Sequence, residues 1–390
     1  MVQNPDVCIR GAGVVGSTLA LLLARERLRV GLLAQAAPAS SAVSSSSSAA
    51  PAPAGDTSDV RAYALNAASR DLLMSLRAWP DPEFATPVAA MEIHGDGNGV
   101  LRFCADTQGV PALAWIVDLP ALQARLSEAL RYQPLVETLV AERPAPLTAV
   151  CEGRASATRE AFGVAFDTTP YPQRAIAARL RCGKPHGGVA RQWFLPDGVV
   201  ALLPLGGSAG DTVAMVWSAE LPRAAALLAL EPDAFAAELL AATAGAVGTL
   251  ALTSPRADWP LQFARADRWC GAMPEGGAHR SWVLAGDAAH TVHPLAGQGL
   301  NLGLADAAEL AQVLHGRDYW RGAGDLRLLR RYERARKAGL WPMGLATDGL
   351  QQLFSLPGHP WQALRNWGLS GFDASGPLKS WLARRAMGAR

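Results

Sequence analysis

The stretch Trp282-Val-Leu-Ala-Gly-Asp-Ala-Ala-His-Thr-Val-His-Pro-Leu-Ala-Gly-Gln-Gly-Leu-Asn-Leu-Gly303 reads as strand, loop and helix start in one run. Trp282 to Ala285 is a short apolar run of the length that ends a buried strand. Gly286 and Asp287 follow, at a place where a carboxylate faces a cleft. Pro294 stiffens the loop. Gly297, Gln298 and Gly299 then open a helix that continues through Leu300, Asn301, Asp306 and Leu310. Gly297, Gly299 and Gly303 remove Cβ atoms from this turn, so a large flat group can approach the backbone. The helix start offers unpaired N–H groups and a positive dipole end to an electron-rich group.

A second glycine turn lies at the other end of the chain. Asp6 to Arg10 forms a short strand ending in Gly11-Ala-Gly13-Val-Val15-Gly16. A helical pattern runs from Thr18 to Arg27, and an apolar strand from Leu28 to Leu33 closes a β-α-β unit. Gly11 allows the tight turn, Gly13 lets a pyrophosphate approach, and Gly16 lets helix and strand pack closely. The phosphates of a dinucleotide would rest on the helix N-terminus. The acid that usually ends the second strand and binds the adenosine ribose is missing. Its place falls on Ala34, with Gln35 beside it. Losing such a hydrogen bond costs about 1–3 kcal/mol of cofactor affinity.

The run Trp282–Gly303, with about twenty consecutive positions matched, resembles the second FAD-binding motif of the single-component flavin aromatic hydroxylases. The resemblance is closest to the branch that hydroxylates polyprenylated phenols in ubiquinone biosynthesis. It implies FAD as cofactor, with Gly11, Gly13, Val15 and Gly16 in the pyrophosphate turn and Asp287 on a ribityl hydroxyl. Pro294 would lie near the isoalloxazine ring. The amides from Gly297 through Gln298, Gly299 and Leu300 to Asn301 would face the N1–C2=O edge of the ring. Asp59-Val-Arg61-Ala-Tyr-Ala-Leu-Asn-Ala-Ala-Ser69 matches a D-x-R-x-x-A-L-x-x-x-S pattern, whose arginine, here Arg61, lies beside the flavin. By its residues alone, Arg61 also reads as a helix-start arginine paired with Asp59. Cys151-Glu-Gly153-Arg-Ala-Ser-Ala-Thr-Arg159 stands where the family has A-D-G-x-x-S-x-x-R, with Glu152 in place of the Asp. Pro120 stands near a helix start where the family places an arginine. Ala34, Pro120 and Glu152 are thus three departures from the pattern.

The fold implied is α/β and para-hydroxybenzoate-hydroxylase-like. A GxGxxG Rossmann-like FAD-binding domain would comprise residues 1–79, 112–170 and 271–345. An inserted antiparallel substrate domain would comprise 80–111 and 171–270, followed by a C-terminal helical segment, 346–390. Ala90 to His94 and Val100 to Cys104 read as a hairpin. Ala175–Cys182, Gly188–Leu195, Val199–Pro204 and Thr212–Trp217 read as successive antiparallel strands, with helices over 222–245. Trp259-Pro-Leu returns the chain toward the flavin domain. The Ala/Pro/Ser-rich stretch 36–58 reads as a surface loop, since its composition cannot bury a core.

The implied chemistry is ring hydroxylation through a flavin C4a-hydroperoxide, using O2 and NAD(P)H or another donor. The cofactor carries the hard chemistry and the protein supplies placement. No catalytic side chain is identified. His290 and His293 lie in the motif loop, where they either move a proton or orient the loop. The implied substrate is a small hydrophobic aromatic, an isoprenoid phenol of the bilayer. With it come peripheral membrane contact and complexes with other ubiquinone-biosynthesis proteins. An impaired homologue acting as a scaffold for partner hydroxylases is the alternative. A halogenase would need W-x-W-x-I-P, and Trp115-Ile-Val-Asp-Leu-Pro120 lacks the second tryptophan.

Composition sets the remaining bounds. The chain has 390 residues, half of them hydrophobic, enough for two or three domains. A formal net charge of +2 gives no case for nucleic acid. The five cysteines form no CxxC pair, so neither a zinc site nor a disulfide framework is indicated, and a reducing cytoplasm fits. The N-terminus lacks the pattern of a signal peptide. No run of about eighteen apolar residues marks a membrane span, and the lipid substrate that the resemblance implies would be met peripherally, at the inner face of the membrane. The helical stretch after Leu326 carries a basic face that reads as solvated surface or as a membrane-facing patch.

Overall fold

The structure is a computed structural model and describes residues 4–34, 59–95, 99–206, 209–274, 280–292 and 298–355. The first glycine turn joins strand β1 (Val7–Arg10) to helix α1 (Val14–Arg25), which returns through strand β2 (Val30–Leu33). The helix begins four residues earlier than its apolar pattern suggests, because Gly13 in extended conformation serves as its N-cap. It ends before Arg27, which adopts a left-handed φ of 60°. β1 and β2 pair in parallel. They lie in a six-stranded sheet ordered Cys270–Ala272, Ser281–Leu284, Leu147–Val150, β1, β2 and Val136–Leu139. Only the outermost strand, Cys270–Ala272, is antiparallel to its neighbour. Ser281–Leu284 and Leu147–Val150 are buried at every position, as strands covered on both faces must be. Ile9, Leu19, Leu23, Val283, Leu310, Leu314 and Tyr332 form part of one core beneath α1 and the helices Gly299–His315 and Leu326–Ser355.

A nine-stranded sheet stands beside it. The hairpin Ala90–His94 and Val100–Cys104 forms as expected. Val189–Leu195, Gly198–Pro204, Thr212–Glu220 and Phe166–Cys182 follow one another in antiparallel pairing, while Val189–Leu195 also pairs in parallel with Ala90–His94. The long strand starts at Phe166 rather than Ala175, so it crosses residue 170, the boundary drawn from sequence. Trp259-Pro-Leu lies within a ten-residue strand, Ala257–Ala266, that pairs with Phe166–Cys182, so it is part of this sheet rather than a bare return. The helical region 222–245 is two helices, Leu221–Ala229 and Pro232–Ala242, because Pro232 holds Glu231 extended and Leu230 before it is extended as well. Trp217, Leu227, Phe235 and Leu239 fill the core beneath them.

A small antiparallel sheet, Ala62–Leu65, Trp115–Asp118 and Ala85–Pro87, lies between these units in the chain. Asp118 caps the helix Leu119–Arg131, whose first turn accepts Pro120. Arg179, from the long strand, pairs with Asp118 at 2.6 Å and donates to the Asp59 carbonyl at 3.2 Å. A cation from the large sheet therefore stands at the helix start where the family's arginine is replaced by Pro120. No helix of the described residues is long and apolar enough to cross a membrane. The loop 36–58, Gln35 and the tail 356–390 lie outside the described residues.

Candidate functional site

The N-terminus of α1 is bare. Gly13 makes no side-chain capping bond and the first turn holds no acidic residue. Among the described residues, a Cβ built on Gly13 would meet nothing within 4 Å, so the backbone at this helix start can be approached closely. Gly11 and Gly16 have the opposite reason to be glycine. A Cβ on Gly16 would lie 1.9 Å from the Gly11 carbonyl oxygen, and one on Gly11, at φ +104°, 2.4 Å from that of Cys151. The helix Gly299–His315 repeats the arrangement, with no side-chain cap from Gln298, no acid in its first turn and, among the described residues, nothing within 4 Å of a Cβ built on Gly299. Val15 joins the two motifs. Its side chain is what a Cβ on Gly303 would meet at 2.6 Å and one on Gly286 at 3.2 Å.

Asp306 lies fully buried between the motifs. Its Oδ2 accepts from the Gly286 amide at 2.9 Å and bonds the His290 ring at 2.7 Å; its Oδ1 accepts from Arg336 at 2.6 Å. Burial pushes this carboxyl up, but His290 and Arg336 outweigh it and hold it below the usual range. His290 also stacks on Trp269, with ring centroids 5.0 Å apart. Arg159 donates to the Ala288 carbonyl from the other side at 3.3 Å. The Gly286–Ala289 turn is thus anchored on its protein side, and Asp287 is its exposed residue. Desolvation by the surrounding protein raises the pKa of the Asp287 carboxyl, against attraction from His290 and Arg154. Arg61 contributes a further attraction.

A family model described as FAD binding domain matches residues 142–344. The chain belongs to the FAD binding domain family. It is 29% identical to the ubiquinone hydroxylase UbiL of Rhodospirillum rubrum, over 98% of this chain and 89% of that protein. It is 29% identical to the 3-demethoxyubiquinol 3-hydroxylase of Escherichia coli, over 99% of both chains. Its fold matches that of the p-nitrophenol 4-monooxygenase PnpA of Pseudomonas putida, with TM-score 0.70 and 19% identity over 99% of this chain and 97% of that one.

The residues fit FAD. Gly13 and the bare α1 start leave room and donors for a pyrophosphate, and Gln298, Gly299 and Leu300 present the second helix start with its space clear. Asp287 presents an open carboxylate to a hydroxyl. The Asn301 side chain is already engaged: it accepts from the Asn66 amide and the Ser69 hydroxyl and donates to the Ala64 carbonyl. Its side-chain oxygen is fully used, which leaves the main chain and one amide N–H. Arg61 does pair with Asp59, at 2.8 Å through Nε, but it precedes the strand Ala62–Leu65 and not a helix, so its helix-start reading is corrected. Pro294, Gly297 and His293 lie outside the described residues.

Glu152 is used up within the protein. Its Oε1 accepts from Arg10 at 3.0 Å and Thr158 Oγ1 at 2.7 Å; its Oε2 accepts from Ser156 Oγ at 2.7 Å and the Thr158 amide at 3.2 Å. Burial raises this carboxyl, and those bonds outweigh it and hold it below the usual range. The longer side chain therefore fits by clasping β1 to the turn Ser156–Arg159.

Sequence reading missed Tyr63, Arg154, Asp306 and Arg336. Tyr63 interacts with Arg61 and feels Asp287 and Asp59; burial raises its phenol. Its position two residues after Arg61 in a strand was the available signal.

Proposed function

We propose that this chain is an FAD-dependent monooxygenase that hydroxylates a polyprenylated phenol in ubiquinone biosynthesis, using O2 and NAD(P)H or another donor. The observation that carries the reading is the open Asp287 carboxylate held beside two bare helix starts, in a chain akin to two ubiquinone-pathway hydroxylases over nearly its whole length. Bound FAD supplies the activation of O2. The chain's own residues hold and orient it: Gly11, Gly13, Val15 and Gly16 at the pyrophosphate, Asp287 at the ribityl chain, and the Gln298–Asn301 amides with Pro294 and Gly297 at the ring. Arg61, with Tyr63, provides positive charge near Asp287. Residues 80–111 and 166–270, with the long strand Phe166–Cys182 kept whole, form the substrate-bearing part, and 1–79, 112–165 and 271–345 the cofactor-bearing part. His290, fixed by Asp306 and Trp269, orients the Asp287 turn.

Replacing Asp287 with Ala is expected to strip flavin while leaving the melting temperature near that of flavin-stripped wild type, because the turn is anchored by its neighbours and bound flavin itself adds stability. The check is flavin absorbance per protein after gel filtration. Full flavin in a purified Asp287→Ala variant contradicts the assignment. Activity is tested as NAD(P)H oxidation and hydroxylated product with prenylated and unprenylated phenols.

The lipid tail calls for a membrane-facing surface. Tyr319 and Trp320, in the loop before the last helix, are 95% and 65% exposed and pack edge to face. Arg327, Arg330, Arg331 and Arg334 follow, all exposed. At about 100° per residue they share one face, opposite the buried Leu329, Tyr332 and Arg336 side. Interfacial aromatics beside a basic stripe suit an anionic bilayer. Sedimentation with phosphatidylcholine vesicles, with and without phosphatidylglycerol, is expected to show binding only with the anionic lipid. Each arginine should contribute about 1 kcal/mol, so Arg330→Glu with Arg334→Glu should abolish most of it. Equal binding to neutral vesicles, or an unaffected double variant, counts against this surface.

A further inference from the structure

The carboxyl end of β2 carries no acid, and Ala34 there is exposed. The strands on either side of β2 reach over this spot. In register, Arg10 at the end of β1 lies opposite Leu33, and Leu33 lies opposite Leu139 on the far side. Arg10 Nη1 donates to Glu142 Oε2, three residues beyond Leu139. Neighbouring strands are about 4.8 Å apart, and β2 lies between the two partners, so this ion pair spans the carboxyl end of β2.

Arg10 is fixed from its other side by Glu152, which has no acceptor site left for a ligand. Glu142 differs. Its side chain is 35% exposed, and the Arg10 bond engages only one of its oxygens. Val140 and Ala34 each stand one residue past the Leu33–Leu139 register pair, and Val140 is fully exposed. A bare valine and a bare alanine therefore stand side by side next to a carboxylate aimed across the strand end.

We propose that Glu142 accepts hydrogen bonds from the adenosine ribose hydroxyls of FAD, with Val140 and Ala34 as the apolar shelf beneath the adenosine. Arg10 is the positioning residue that holds the carboxylate in place. The acid absent from β2 is thus supplied by the segment after Val136–Leu139, and Glu152 takes part by locking Arg10. The inference rests on FAD as the cofactor.

Flavin-stripped protein titrated with FAD and with FMN, followed by flavin fluorescence, tests it. FMN lacks the adenosine, so only FAD should feel the change. Glu142→Ala and the near-isosteric Glu142→Gln are expected to weaken FAD about tenfold or more and leave FMN affinity unchanged. Adding Ala34→Glu to Glu142→Ala should regain most of the loss, because it restores an acid to the end of β2. Unchanged FAD affinity in both variants overturns the proposal, as does an equal loss for FAD and FMN, which marks a purely structural role. A wild-type protein that binds neither flavin would instead defeat the FAD reading itself.

Discussion

Asp306→Ala is expected to lower stability by about 3–5 kcal/mol, the cost of removing one partner from a buried ionic network. The loss leaves the Gly286 amide and the His290 ring without their acceptor and Arg336 without its counter-charge. Flavin should be lost as well, since the Gly286 amide is the anchor of the Asp287 turn. Asp306→Asn keeps the volume and should cost less. The network also sets a pH dependence. The folded Asp306 carboxyl lies below its ordinary value, so its stabilisation is full above an unfolded pKa of about 3.9 and is lost as pH falls through the folded pKa. Urea denaturation should therefore show a large gap between wild type and Asp306→Asn at neutral pH that narrows in acid. A gap independent of pH would contradict this account of the network.

The largest contrast is expected between two neighbouring glycines. Gly16→Ala places a methyl 1.9 Å from the Gly11 carbonyl oxygen and 3.3 Å from the Cys151 side chain. Neither backbone segment can yield without opening the contact between α1 and β1, so overpacking should cost about 1–3 kcal/mol or more and abolish flavin binding. Gly13→Ala adds a methyl that meets nothing within 4 Å. Without flavin, its melting temperature should stay close to that of flavin-stripped wild type. Its flavin affinity should fall sharply, because the methyl occupies the space kept for the pyrophosphate. Thermal melts and flavin titrations of both variants separate the two effects. A Gly13→Ala variant that bound FAD normally would show that the pyrophosphate does not lie before α1.

The parts legible in the sequence are those written in adjacent residues. The turn Gly11–Gly16 and the run Trp282–Gly303 each carry strand, turn and helix start in one segment, so the fold was legible in their local chemistry, and FAD followed from the family resemblance they carry. The Ala90–Cys104 hairpin was legible for the same reason. The long strand was read short because its first part, Asp167-Thr-Thr-Pro170, is polar and exposed and lacks alternation. Contacts made between distant segments left no local signal. Asp306 appeared as one more helix residue, although it ties together Gly286, His290 and Arg336. Arg10 appeared as a strand end, although it joins Glu142 to Glu152 across 132 and 142 positions of chain. The departures at Pro120 and Glu152 looked like losses for that reason. In three dimensions Arg179 stands at one helix start and Glu152 closes a clasp.

The visible spectrum of freshly purified protein, before and after addition of FAD, tests the central claim most directly. The account predicts a two-band flavin spectrum, present as isolated or restored by added FAD, with FAD released on denaturation. A colourless protein that stays without flavin even at high FAD would contradict it, and partner hydroxylases would then be sought in place of a substrate.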